Sequence, residues 1–174
     1  MRGVTAVGVG ERAAAAKAEV QVVGVVADDA AGDRLLAGLA GQRVGHAAVL
    51  REPPRDLETA DLDLALRYLP DIKVIVTVGV APTIVRVASD HAEWLGARLV
   101  VVETPERRGE APVVGEPPQI EEIAEGAIVL EAPASDPDGT FAGFVGALAA
   151  RLDAGATPAD AWAATTHDLA VDPL

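Results

Sequence analysis

Mostly apolar runs rich in valine alternate along this chain with segments that carry apolar residues at helical spacing. The runs lie at residues 19–26, 46–50, 72–78, 98–102 and 127–130, and the helical segments at 30–40, 59–69, 82–95 and 141–154 and after 157. Near-continuous apolar strands are typical of a parallel sheet that is covered on both faces. The alternation therefore predicts a three-layer α/β/α fold with a mostly parallel sheet.

Capping and turn residues mark where the helices begin and end. Thr59 and Thr157 are predicted N-caps, and Pro82 is predicted to stand at the first position of its helix. Gly96 is expected to end that helix in a left-handed conformation. Residues 51–56, 105–119 and 133–139 are predicted loops, and 120–125 one helical turn.

Length and composition favour one domain over residues 1–174, because half of the residues are hydrophobic and a core can form. Aromatic residues make up only 3% of the chain, so Val, Leu, Ile and Ala must build that core. Trp94 and Trp162 lie on helical faces and are predicted to pack against it.

Charge narrows the classes of partner. The net charge is −13, which argues against nucleic acid and against an anionic membrane surface. The sequence contains no run of about 18 apolar residues, so no membrane span is expected. Residues 1–10 do not form a convincing signal peptide, and a cytoplasmic protein is therefore expected. The negative charge does not exclude a small phosphorylated ligand, because backbone N–H groups bind phosphate without net positive charge.

Three predicted connections follow strands and therefore lie at the edge where such folds bind ligands: residues 27–31, 79–83 and 134–143. The first connection lies within the sequence VVGVVADDAAGDRLL of residues 22–36. The last contains DPDGTFAGFVG of residues 136–146, which opens a helix. Glycines at a helix N-terminus let several N–H groups converge on one anion.

Both stretches resemble the ribokinase-like (PfkB) carbohydrate kinases. That family has a strand ending in Gly-x-Val-Gly-Asp-Asp and a later signature, Asp-Thr-x-Gly-Ala-Gly-Asp-x-Phe-x-Gly. Matches to the later signature fall at Asp136, Gly139, Phe144 and Gly146. The resemblance implies ATP or ADP with Mg²⁺ as ligands and phosphoryl transfer to an alcohol. It also implies that Gly139, Thr140 and Gly143 bind phosphate.

The departures from the family bear on catalysis. Ala142 aligns with the family's catalytic aspartate, and Phe141, which aligns with a loop glycine, is expected to project into the anion path. Gly8 and Gly10 are the nearest counterparts of the family's sugar-binding glycines, no Asn occurs in the chain, and the lid strands have no counterpart. The chain therefore resembles a shortened and degenerate family member.

Candidate site residues each have a structural alternative. Asp138 and Asp136 are candidate substitute bases, and an ordinary Asx-type turn is the favoured structural alternative. Asp28, Asp29 and Glu103 are candidates on the substrate side, with helix capping or a solvated loop as the alternative. The three scattered histidines fit no metal spacing, so no protein-held metal is predicted.

Three functions follow from these observations. The first is a domain that binds a nucleotide or phosphorylated metabolite with little or no kinase activity. The second is an active ATP-dependent sugar or nucleoside kinase that uses Asp138 or Asp136 as its base. The third is an interaction or oligomerisation domain, such as a homodimer, in which a partner covers sheet edge exposed by loss of the lid.

Overall fold

A computed structural model describes residues 3–105 and 126–171. Strands and helices alternate after a first helix, in the order α1 (Ala6–Ala15), β1 (Gln21–Val26), α2 (Ala30–Gly41), β2 (Gly45–Arg51), α3 (Thr59–Tyr68), β3 (Val74–Val78), α4 (Pro82–Leu95), β4 (Arg98–Glu103), β5 (Ile128–Glu131), α5 (Thr140–Asp153) and α6 (Pro158–Val171). The predicted loop 105–119, beyond its first residue, and the predicted turn at 120–125 lie outside the described residues.

Sequence signals at three helix ends are confirmed. Pro82 is the first residue of α4, and Gly96 ends that helix with a φ of 66°. Thr157 accepts a hydrogen bond from the backbone N–H of Asp160 at 3.2 Å, which caps α6. The N-cap of α3 is Glu58 and not Thr59, and the Glu58 N–H donates to the Asp61 carboxylate at 2.9 Å.

Helix α1 is the element that the sequence did not predict. Gly8 and Gly10 lie inside it, where glycine normally disfavours a helix. Thr5 caps the helix by accepting a hydrogen bond from the Gly8 N–H at 3.1 Å. The two glycines therefore belong to a helix and not to a sugar-binding loop.

Strand β4 shows the three layers most clearly. Val100 and Val102 pack in a core with Leu148 of α5, whereas Leu99 and Val101 pack in a second core with α3 and α4. Successive side chains of one strand therefore enter two separate helical layers. The predicted α/β/α architecture is confirmed.

The strand pairs in the described part of the chain are all parallel, and they form two sheets. Strands β1 and β2 form one sheet, and β3, β4 and β5 form the other in that order. Within residues 3–105 and 126–171, no helix is long and apolar enough to cross a membrane.

One of the two predicted packing tryptophans is solvent-exposed. Trp94 is 78% exposed on α4, so its predicted packing role is wrong. Trp162 is half exposed and makes an edge-to-face contact with Phe144, with ring centroids 5.1 Å apart.

Candidate anion site at the N-terminus of helix α5

The loop between β5 and α5 is held at the C-terminal edge of the sheet. The Ala132 N–H donates to the Glu103 carbonyl at 2.8 Å, which extends the pairing of β5 with β4. The loop then turns at residues 136–139, and Gly139 enters α5 with a φ of 70°. This left-handed conformation favours glycine, which explains the residue that the sequence singled out.

Asp136 caps helix α5 with both carboxylate oxygens. Oδ1 accepts from the Phe141 N–H at 3.0 Å, and Oδ2 accepts from the Ala142 N–H at 2.9 Å. The helix dipole favours a negative group at this place. The first turn of α5 therefore binds an anion already, and that anion belongs to the chain itself.

Phe141 does not obstruct this site with its side chain, so the expectation that its ring blocks the anion path is wrong. The ring is partly buried and packs against the core formed by α1, α5 and the sheet. The N–H groups of the first turn, and not this ring, point towards the open end of the helix. The group that any ligand must displace is the Asp136 carboxylate.

Ala142 lies where α5 meets α1. Its side chain is buried, and a Cβ built on Gly8 would lie 3.9 Å from its methyl carbon. The same helix contact is tightest at Gly146, where an added Cβ would lie 2.7 Å from the backbone nitrogen of Ala13. Gly146 is therefore a helix-packing glycine.

Arg12 of α1 is a site residue that sequence reasoning missed. Its Nη2 donates to the Asp138 carbonyl at 3.4 Å, and it lies 2.9 Å from the position that a Cβ on Gly139 would take. Among the described residues, no carboxylate forms an ion pair with Arg12. Only the packing of α1 on α5 brings this cation to the site, and no local sequence signal reveals such packing.

The other phosphate-site candidates lie at the same helix end. Thr140 is exposed as the first residue of α5. Gly143 donates its N–H to the Gly139 carbonyl at 2.8 Å, so this donor is engaged within the helix. Asp138 is exposed, and no hydrogen bond or ion pair engages its carboxylate among the described residues.

Asp28 and Asp29 have structural roles. Asp29 caps α2 by accepting from the N–H groups of Ala31 and Gly32 at 2.8 and 2.9 Å. Asp28 forms an ion pair with Arg51 at 2.7 Å. Hydrogen bonding to Asp28, together with the nearby Asp33 charge, raises the pKa of Arg51.

Glu103 ends β4 half-buried, beside the first residue of the loop that carries Asp136. Gly79 and Thr104 follow β3 and β4 and lie in close contact, because a Cβ on Gly79 would lie 2.8 Å from the Thr104 hydroxyl. Glu103 thus shares the ligand edge with the α5 site, whereas Asp28 and Asp29 belong to the separate β1–β2 sheet. Among the described residues, no group of three or more acidic or histidine side chains could hold a metal ion.

Comparison with known proteins extends the description of the fold. No protein-family model matches the chain, and no curated protein matches it significantly. A solved structure described as "Crystal Structure of Sa239" is similar over 90% of this chain and 77% of its own, with a TM-score of 0.62 and 12% sequence identity. At that sequence identity the similarity shows a shared α/β fold alone. The chemistry of the site must be argued from its own residues.

Proposed function

We propose that this chain is a degenerate relative of the ribokinase-like carbohydrate kinases that binds a nucleotide or phosphorylated metabolite with little or no kinase activity. The observation that carries the proposal is the convergence of the Phe141 and Ala142 N–H groups on the Asp136 carboxylate. A phosphoryl oxygen would make the same two contacts, and the Arg12 guanidinium lies close enough to add positive charge.

The absence of a base at position 142 supports weak or absent catalysis. An alanine methyl group cannot accept a proton, and loss of general-base catalysis typically lowers a rate by about 10²–10⁴-fold. Asp136 cannot replace the base while both of its oxygens cap α5. Any Mg²⁺ would arrive with the phosphates of ATP or ADP, which is how proteins commonly bind this ion.

Titration calorimetry with ATP, ADP and AMP, each with and without Mg²⁺, tests the proposal. We expect binding of at least one of the three nucleotides and weaker binding by an Arg12→Gln variant. No heat from any nucleotide at millimolar concentration would overturn the nucleotide form of the proposal. The same titration with sugar phosphates then tests the metabolite form.

An active kinase is the second candidate, and it is favoured by the Asp138 carboxylate, which forms no hydrogen bond or ion pair with the described residues. This side chain is exposed at the loop that leads into α5 and is available to accept a proton. A coupled assay for ADP release over a panel of sugars and nucleosides tests this candidate with Asp138→Asn and Asp136→Asn as matched variants. Turnover lost only in Asp138→Asn supports it, and turnover unchanged in both variants excludes it.

A further inference from the structure

Asp138 and Gly139 form the one Asp-Gly pair in the sequence, and the chain contains no asparagine. In such a pair the glycine has no side chain to hinder the approach of its backbone nitrogen to the aspartate carboxyl carbon. An Asp-Gly pair therefore closes a five-membered ring through these two atoms more readily than other aspartyl pairs. The sequence concentrates this chemistry at a single position.

The structure leaves the carboxyl group of this pair accessible. Asp138 lies exposed in the turn before α5, and its carboxylate forms no hydrogen bond or ion pair with the described residues. The Gly139 N–H donates to the Asp136 carbonyl at 3.3 Å, which is longer than the ordinary distance of about 3.0 Å. A long backbone hydrogen bond is therefore what opens before the nitrogen reacts.

Neighbouring sequence or contacts protect other aspartates from the same reaction. Asp136 precedes Pro137, whose nitrogen carries no proton, and both of its carboxylate oxygens cap α5. Asp71 is exposed, as Asp138 is, but Ile72 follows it and its β-branched side chain hinders the approach. Exposure and a following glycine thus coincide at Asp138.

We propose that Asp138 isomerises to isoaspartate without an enzyme, through a succinimide ring with the Gly139 nitrogen. A bond forms between this nitrogen and Cγ of Asp138, and the N–H proton leaves with the carboxyl OH as water. Water then opens the ring by breaking the bond from the nitrogen to one of the two carbonyl carbons. Breaking the bond to the main-chain carbon gives isoaspartate, whereas breaking the bond to Cγ restores aspartate. One water is lost and one is gained, so mass and oxidation state are unchanged.

Isomerisation would lengthen the main chain by one atom where helix α5 begins, because the chain would then run through Cβ and Cγ of Asp138. Two contacts span this point. Arg12 donates to the Asp138 carbonyl at 3.4 Å, and Asp136 accepts from the first turn of α5 beyond Gly139. An extra atom between them changes the distance that the Asp136 cap must bridge, so we expect the cap to weaken.

Isomerisation would also give Arg12 a carboxylate as its partner. The main-chain carbonyl of Asp138, which Arg12 contacts, becomes the free carboxylate of isoaspartate. A hydrogen bond between two charged groups is stronger than one to a neutral carbonyl, so Arg12 favours the isomerised form. Arg12 would then attract a phosphate less strongly, a consequence that rests on the proposed function.

Prolonged incubation of the intact protein at pH 5 and physiological temperature tests the proposal. Isoaspartyl methyltransferase with labelled S-adenosylmethionine counts the isoaspartyl groups, and digestion with mass spectrometry locates them. We expect the peptide that contains Asp138 to separate into two chromatographic peaks of equal mass. Peptides that contain the other aspartates should each stay a single peak.

Asp138→Glu is the matched control, because it keeps the charge but would have to close a less favourable six-membered ring. We expect no isomer at this position after the same incubation. The Arg12→Gln variant should accumulate less isoaspartate than the parent protein, and equal accumulation would overturn the role assigned to Arg12. Circular dichroism shows whether each variant is folded.

Separated isomerised protein tests the consequences. We expect its melting temperature to be lower than that of unmodified protein and its ADP binding to be weaker in calorimetry. An unchanged melting temperature would overturn the predicted effect on the Asp136 cap. If unmodified protein binds no ADP, the nucleotide form of the proposed function fails, whereas the isoaspartate count still decides the modification.

Two results would overturn the modification itself. Isoaspartate at position 138 that forms in urea but not in the folded protein would show that the fold protects the pair. Isoaspartate at several aspartates to the same extent would contradict its assignment to Asp138.

Discussion

The Asp136 carboxylate accepts the backbone N–H of Ala142 in the first turn of α5. Under the proposed function, this carboxylate occupies the helix end at which a phosphate would bind, and the methyl group of Ala142 cannot act as a base. Both facts favour binding over turnover. They also make Asp136 the residue whose replacement is most informative.

Replacing Asp136 with Ala should have opposite effects on stability and on ligand binding. Loss of the cap should lower the free energy of unfolding by about 0.5–2 kcal/mol. The vacated N–H groups should then bind phosphate or ADP more tightly, so that ADP raises the melting temperature of the variant more than that of the parent protein. Urea unfolding and thermal shift measure the two effects.

Asp138→Ala is the matched control, since its carboxylate is exposed and unengaged among the described residues. Its stability should change by less than about 0.5 kcal/mol, as for most surface substitutions. An Asp136 variant that loses stability but gains no ligand response would contradict competition between the carboxylate and phosphate.

Arg12→Gln should weaken nucleotide binding by about tenfold, as expected for loss of one charged hydrogen bond. Glutamine retains the Cβ that packs against Gly146, so the contact between α1 and α5 should persist. Calorimetry at two salt concentrations should show a smaller salt effect in the variant. Arg34→Gln, at an exposed position on α2, should match the parent protein.

Gly146→Ala and Gly143→Ala should change stability in opposite directions although both lie in α5. A Cβ at Gly146 would lie 2.7 Å from backbone of α1, so we expect destabilisation of about 1–3 kcal/mol. A Cβ at Gly143 meets no atom within 4 Å, and alanine should stabilise the helix by up to about 1 kcal/mol. Denaturant unfolding of both variants decides this, and equal effects would contradict the tight crossing at Gly146.

Acid should destabilise the protein partly through Asp61. Arg55 contacts both carboxylate oxygens of Asp61, at 2.6 and 3.2 Å. This hydrogen bonding, followed by the Glu58 N–H bond, lowers the pKa of Asp61 from its ordinary value of 3.8. A lowered pKa in the folded state means that the stabilisation is complete above pH 3.8 and is lost as the pH falls through the folded-state value.

Chemical denaturation from pH 6 to pH 2 should therefore show a shallower acid dependence in Asp61→Asn than in the parent protein. Asp90→Asn, at an exposed position on α4, should retain the parent slope. Equal slopes in all three proteins would show that the Arg55 contact contributes nothing to the acid response.

The sequence predicted elements whose signals are local. Pro82 and Gly96 mark the ends of α4 because proline and glycine restrict or extend backbone conformation at those positions. Helix α1 was not predicted because Gly8 and Gly10 weaken its local signal, and its packing against α5 offsets that weakness.

The loop that holds the candidate site was predicted from the sequence, but the contacts within it were not. The sequence predicted a turn at residues 136–139 before α5, and the structure has a turn there with Asp136 capping the helix. The sequence does not reveal in which direction each side chain of that turn points. Phe141 was therefore wrongly placed in the anion path, whereas its ring packs against the core. Arg12 and the division into two sheets depend on contacts between distant segments, which single-sequence patterns do not reveal.

The backbone amides of Phe141 and Ala142 are the most direct reporters of ligand binding at this site. An NMR titration of the ¹⁵N-labelled protein with ADP should shift these two amide resonances more than those of the β1–β2 sheet. The Arg12→Gln variant should bind less ADP than the parent protein at each ADP concentration. Saturation by ADP with the Phe141 and Ala142 resonances unmoved would contradict phosphate binding at the N-terminus of α5.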